Sequence, residues 1–399
     1  MKGGDHMNVG IIDADLLSRK KHRFPNLACM KISAYHKSIG DSVSLLLSYD
    51  EIENYDKVYL SKVFTDTPVP DGITGLSWVE YGGTGFFYDK APPLNPAIEH
   101  IMPDYHLYDN FINRQINDAI VLFDDEDDIE KALRRKRTEF SYYLDFSLGF
   151  TTRGCIRGCS FCVNKNYRSC SLHSPISEFV DPERKYICLL DDNVLSCKDW
   201  KNIFDELNAT GKRFQFKQGL DERLLTDEKC EVIFGSNWIG DYIFAFDNIK
   251  DRRLVERKLQ LMRKHTDVIP KFYVFCGFNH TAPDTYPAGF WESDISDVFE
   301  RIKILMSYGA LPYIMRYKDY ELSPFRGLYV IIASWCNQPS FFKKMSFREY
   351  AHTRSERTRY MNDFERQNPE IAAKYFDMKW SDFNEPRNKT TKSNHRSPL

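Results

Sequence analysis

The chain has 399 residues, of which 42% are hydrophobic and 15% aromatic; this excludes a disordered composition and allows two or three domains. Its 55 basic and 57 acidic residues leave a formal charge of −2, so no global field favours nucleic acid or an anionic membrane. No run approaches the roughly 18 apolar residues of a membrane span, and MKGGDHMNVGIIDAD lacks a basic-then-apolar leader, so a soluble, cytoplasmic protein with no membrane partner is expected.

Taken in order, NVGIIDAD from Asn8, the amphipathic stretch Asn26 to Ile39 closed by Gly40, and SVSLLLSY read as strand, helix and strand. KVYLSKVF from Lys57 adds a third strand, which makes a small parallel βαβ unit, and YGGTG from Tyr81 reads as a glycine-rich structural turn. Between Asp124 and Arg137 six acids are followed by five bases, the pattern of a solvated helix face. A domain boundary is expected near residue 140, giving a Rossmann-like domain over 8–140. Beyond it, LDFSLGF, KYICLLD, RFQFKQG, YIFAFDN, VIPKFYVFCGF and ALPYIMRY alternate with helix-length segments. Six such strands over 141–335 suit a parallel α/β barrel or open sheet, short of the eight of a closed barrel. Residues 336–385 read as a helical extension, opened by the capping-box sequence SFRE at Ser346, and 386–399 as a disordered tail with four bases and no acids.

Three of the ten cysteines, Cys155, Cys159 and Cys162, fall within eight residues in GFTTRGCIRGCSFCVNK. The other seven, Cys29, Cys170, Cys188, Cys197, Cys230, Cys276 and Cys336, are scattered singly and are expected to pack as small hydrophobes. Thiolates select iron–sulfur clusters, zinc or copper(I), and glycines let a loop wrap a metal closely. With three near ligands, one coordination position stays open for chemistry, whereas a structural zinc site closes its shell. Cys170 and His173 are the nearest residues that could supply a fourth ligand.

The CxxxCxxC spacing, with the aromatic Phe161 just before its third cysteine, resembles the cluster motif of the radical S-adenosylmethionine (SAM) superfamily. The resemblance implies a partial (β/α)6 barrel and a 4Fe-4S cluster on Cys155, Cys159 and Cys162. It implies SAM bound through its amino and carboxylate groups to the fourth iron. It also implies an external one-electron donor such as a flavodoxin or ferredoxin, and a substrate that the sequence does not identify. By the same resemblance Asp191, Asp192 and Asn193 in LLDDN would hold the SAM amino group, and Gln218, Asp221 and Arg223 follow the third strand. Arg223 would pair with the SAM carboxylate. Asp247 would bond a ribose hydroxyl or the substrate, and Gly277 would let the backbone approach adenine. The bland alternative for each of these polar residues is a helix cap or a loop-satisfying side chain.

A Rossmann-like unit before such a barrel is similar to the cobalamin-binding domain of one subgroup, with FPNLACMKISAYHKSIGDSV like its first helix. The DxHxxG signature of that subgroup is missing, since His22 and His36 lack its flanking pattern, which argues against cobalamin. The methylthiotransferase branch would need three further N-terminal cysteines, and only Cys29 is present. The competing functions are a cobalamin-dependent radical SAM methyltransferase, and a zinc-stabilised nucleic-acid-binding protein. The second draws on FFKK and the arginines 348, 354, 357, 359 and 366, which interleave with Phe and Tyr. Glu349, Glu356, Asp363 and Glu365 dilute that charge, so paired charges on a solvated helix are the favoured reading, with RNA left open as a substrate.

Overall fold

The computed structural model describes residues 6–88, 91–164 and 167–384, and the tail expected at 386–399 lies outside them. It is a mixed α/β structure that divides into two compact units, the first ending at Lys217 and the second beginning at Gln218.

The first unit opens with a parallel four-stranded sheet formed by β1 (Asn8–Asp13), β2 (Ser42–Leu45), β3 (Lys57–Ser61) and β4 (Val79–Gly82), in the order β2-β1-β3-β4. Its apolar runs bury Val9, Ile11, Ile12, Val58 and Leu60, of which Ile12, Val58 and Leu60 share a core with Ala14, Leu46, Ile73 and Val79, and Cys29 and Ile32 are buried as well. The latter two lie on the helix Leu27–Ser38. Asn26 starts that helix by accepting from the Cys29 amide at 3.3 Å, and Gly40, at φ +96°, ends it. Sequence reading missed β4, because VEYG is short and half polar; the expected YGGTG turn begins inside that strand. The acid-then-base segment forms the exposed helix Glu126–Glu139. Asp125 caps it and acids fill its first turn, the arrangement that the helix dipole favours.

All six later strand candidates form strands. In the first unit β5 (Phe146–Gly149) is followed by an antiparallel two-residue pair, β6 (Thr152–Arg153) with β7 (Ser171–Leu172). Next come β8 (Tyr186–Leu189) and β9 (Arg213–Phe216), and β5-β8-β9 is a parallel sheet. Phe214 and Phe216 project from β9 onto Phe204 of the helix Trp200–Ala209, with ring centroids 5.8 and 5.4 Å apart. This contact fixes which face of the sheet is covered.

The second unit holds a parallel sheet in the order β10 (Ile243–Ala245), β11 (Lys271–Cys276) and β12 (Leu311–Arg316). Along β11 burial alternates strictly: Phe272, Val274 and Cys276 are buried, and Lys271, Tyr273 and Phe275 are half-buried. The helix Phe290–Ser307 buries Ile295, Val298, Phe299 and Ile302 completely. Helices beyond residue 336 are packed onto this body. Phe299 meets Phe347, Tyr375 and Phe376 at 5.1, 5.7 and 5.3 Å, and the Ser346–Glu349 capping box forms as expected. Among the described residues no helix is long and apolar enough to cross a membrane.

Candidate functional site

The cysteine loop leaves the C-terminal end of β5 and returns through β7, so the β6–β7 pair closes its neck. Gly154 stands at the turn from β6 into the loop. Its φ is +92°, and a Cβ there would collide with the Ser169 carbonyl, so two strands of the loop approach where only glycine fits. Beyond it Cys155, Cys159 and Cys162 are all half-buried.

The neck is held by the end of β8. Asp191, 1% exposed, accepts from the Thr151 amide at 3.1 Å and hydroxyl at 2.6 Å, and from the Thr152 amide at 2.6 Å and hydroxyl at 2.7 Å. Burial raises its pKa, and these four donors oppose that rise. Asp192 accepts from the Gly154 amide at 2.9 Å and from the Asn164 side chain, which spans both ends of the loop. Asn193 donates its amide to Cys155 Sγ at 3.4 Å. Asp191 and Asp192, which the resemblance assigns to the SAM amino group, direct these bonds at the loop itself.

Two backbone amides also point at sulfur, Arg157 N to Cys155 Sγ and Asn164 N to Cys162 Sγ, both at 3.4 Å. Such donors stabilise thiolate over thiol and tune iron–sulfur potentials. The Phe161 carbonyl accepts from the Tyr88 hydroxyl at 3.3 Å. Among the described residues no three His, Cys, Asp or Glu side chains are grouped so as to hold one metal ion. The donor set of three cysteines, with three N–H groups on two of the sulfurs, is the chemistry that an iron–sulfur cluster takes, and in that sense the residues fit it.

Of the two residues nearest to supplying a fourth ligand, His173 is engaged at both ring nitrogens, with Glu99 at 3.4 Å and Ser174 at 3.0 Å. Burial, with the Arg153 charge, pushes its pKa down to about 4, so it is neutral at physiological pH. Glu99 also holds Lys31 at 3.0 Å and Arg153 at 3.7 Å, which ties the loop neck to the Leu27–Ser38 helix. Cys170 is half-buried, and burial raises its thiol pKa. The six other single cysteines are buried, as packing residues should be, and Cys170 is the exception.

The remaining site residues lie in the second unit. Gln218 is exposed. Asp221 caps the turn Glu222–Leu224 and pairs with Arg223 at 2.7 Å, and Arg223 also lies 3.7 Å from Glu222. Asp247 follows β10, and burial pushes its carboxyl up to about 6 against the charges of Arg301 and Arg223. Gly277 follows β11 with φ +76°. Sequence reasoning missed Glu222, which is buried and accepts from the Ala245 amide at 3.3 Å; no local pattern distinguishes it from a surface acid. It also missed Asp294 and Arg301, which reach these strand ends from a distant helix.

The arginines of the C-terminal region are largely engaged. Arg348 makes a two-pronged bond to Glu365 at 2.7 and 2.9 Å and a third to Asp377 at 2.9 Å. Arg366 pairs with Asp363, and Arg357 and Arg359 lie over the rings of Tyr350 and Tyr360.

No protein-family model matches the sequence, and no curated protein matches it. Solved structures that are similar include TsrM from Kitasatospora setae, described as a radical SAM methyltransferase with cobalamin and a [4Fe-4S] cluster bound. The identity is 14% and the TM-score 0.46, over 78% of this chain and 75% of that one. Another is OxsB, described as a cobalamin-dependent SAM radical enzyme with aqua-cobalamin and SAM bound. Here the identity is 13% and the TM-score 0.41, over 92% of this chain and 62% of that one.

Proposed function

We propose that the chain is a radical SAM enzyme with one 4Fe-4S cluster on Cys155, Cys159 and Cys162. The observation that carries the reading is the cysteine loop itself. It stands at the C-terminal end of a parallel strand, where α/β enzymes collect their catalytic groups. Its neck is fixed by the four bonds to Asp191, and two of its sulfurs receive N–H donors. When bound, the cluster would supply the electron that cleaves SAM to methionine and a 5′-deoxyadenosyl radical, which abstracts hydrogen from the substrate.

The chain's own residues hold and orient. Asp191 and Asp192 set the loop, and Asn193 with the Arg157 and Asn164 amides stabilises thiolate charge. Asp221, Arg223, Asp247 and Gly277 are the groups that would read SAM. The electron comes from an external donor such as a flavodoxin or ferredoxin.

The test uses anaerobically reconstituted protein. Iron and sulfide at about four per chain, with 5′-deoxyadenosine released on adding SAM and dithionite, would support the reading. Both should be lost in a Cys155→Ala, Cys159→Ala, Cys162→Ala triple variant. Zinc in place of iron, or a cluster that never cleaves SAM, would overturn it.

A further inference from the structure

Two charged side chains of the helix Phe290–Ser307 are aimed at backbone rather than at solvent or at each other. Arg301 is 2% exposed, and its Nη1 donates to three carbonyl oxygens: Phe246 at 2.9 Å, Asp247 at 3.0 Å and Phe275 at 2.8 Å. These carbonyls belong to the chain just past β10 and to the last turn of β11. Asp294 lies seven residues earlier, two turns along the same helix face. Its Oδ2 accepts from the Gly277 amide at 2.8 Å and from the Tyr329 hydroxyl at 2.7 Å. One helix face thus fixes the backbone at both Asp247 and Gly277.

The arrangement is costly for a fold that needs only stability. Burying a guanidinium loses its hydration, and apolar residues of similar volume would pack the same space at less cost. What the charged groups supply is a fixed backbone path where the sheet ladder has ended. The Gly277 conformation depends on this path, because a Cβ there would lie 3.0 Å from Tyr320 Cβ and its φ is left-handed. The position is therefore closed to any side chain.

We infer that Asp294 and Arg301, supported by Tyr329, are positioning residues for SAM: they hold the Asp247 and Gly277 strand ends in the geometry that receives its adenosyl half. The inference rests on the functional reading above and adds to it residues that act through the backbone without touching the cofactor. Arg301 also offsets part of the desolvation of both Asp247 and Asp294.

The experiment compares Arg301→Lys, Asp294→Asn and Tyr329→Phe with wild type, all as reconstituted full-length protein. Iron content and thermal midpoint report the fold. Equilibrium dialysis gives the Kd for SAM, and 5′-deoxyadenosine formation gives its KM and saturated rate. Expected are near-wild-type iron and midpoints, with Kd and KM raised about tenfold in the first two variants and about threefold in Tyr329→Phe. The rate at saturating SAM should change far less, a split that a merely structural role would not produce. Wild-type affinity in whichever variants fold would overturn the inference, as would loss of fold in all three. A wild-type protein that does not bind SAM would overturn the functional reading and this inference with it, so the two failures are distinguishable.

Discussion

Glu222 is the residue whose chemistry departs furthest from what its letter suggests. It is 2% exposed, and burial with the neighbouring Asp221 charge raises its pKa from 4.5 to about 8, with Arg223 opposing the rise. The folded chain therefore keeps a proton that the unfolded chain releases near 4.5. A raised folded pKa means that the contribution to stability is full below about 4.5 and is lost as pH climbs through about 8. Glu222→Gln keeps the acceptor for the Ala245 amide and removes the titration. Its thermal midpoint relative to wild type should rise steadily from about pH 5 to about pH 9, and the variant should be the more stable protein at the alkaline end. Parallel midpoint curves for the two proteins would mean that Glu222 is ionised when folded. Neither the burial nor the proton was legible in LDERL, where the same letters serve equally as a solvent-facing turn.

Among the elements, the cysteine loop shows what sequence can and cannot carry. Ligand chemistry demands particular residues at particular spacings, so Cys155, Cys159 and Cys162 stand out locally, as do the six apolar runs that become β5 and β8 to β12. The support of the loop is non-local. Thr151 and Thr152 meet Asp191 forty and thirty-nine residues away, and nothing in TTRG or in LLDD announces the partnership. The SAM-facing role that the resemblance assigns to LLDDN says nothing of this support. If Asp191 acts as the loop's anchor, Asp191→Asn puts an amide group in place of an oxygen that accepts from these donors, and cluster retention suffers although no ligand has changed. Iron per chain after desalting should fall, with cluster affinity reduced about tenfold or more, the range seen when groups that orient metal ligands are removed. Asp192→Asn keeps an oxygen for Gly154 and should lose less. Full iron occupancy in Asp191→Asn would leave that carboxylate free for a role at the ligand instead.

At the scale of the whole molecule the open matter is whether the first sheet carries a cofactor of its own. Its order, β2-β1-β3-β4, puts a topological switch between β1 and β3, the place where open parallel sheets bind ligands. In this chain the polar groups there are bonded to one another. Asp15 accepts from the Val63 amide at 2.6 Å and from the Thr67 hydroxyl, and Lys62 donates to the Thr67 carbonyl at 2.9 Å. Tyr108 donates to Asp13 at 2.9 Å and accepts from the Asn26 amide at 3.1 Å, while Asn26 reaches Ser61 at 2.8 Å. A ligand entering the switch point would have to break this set, and each buried group left unpaired would cost about 1–3 kcal/mol. A corrinoid at this place would have to compete with these bonds. Full-length protein incubated with hydroxocobalamin and desalted should emerge without corrinoid absorbance and with no cobalt beside its iron. Stoichiometric retention would mean that the segment from Lys62 to Thr67 swings away from Asp15, and the reaction to test would become methyl transfer. Without retention, the first sheet is left as a scaffold whose Leu27–Ser38 helix, through Lys31 and Glu99, steadies the neck of the cysteine loop at Arg153 and His173.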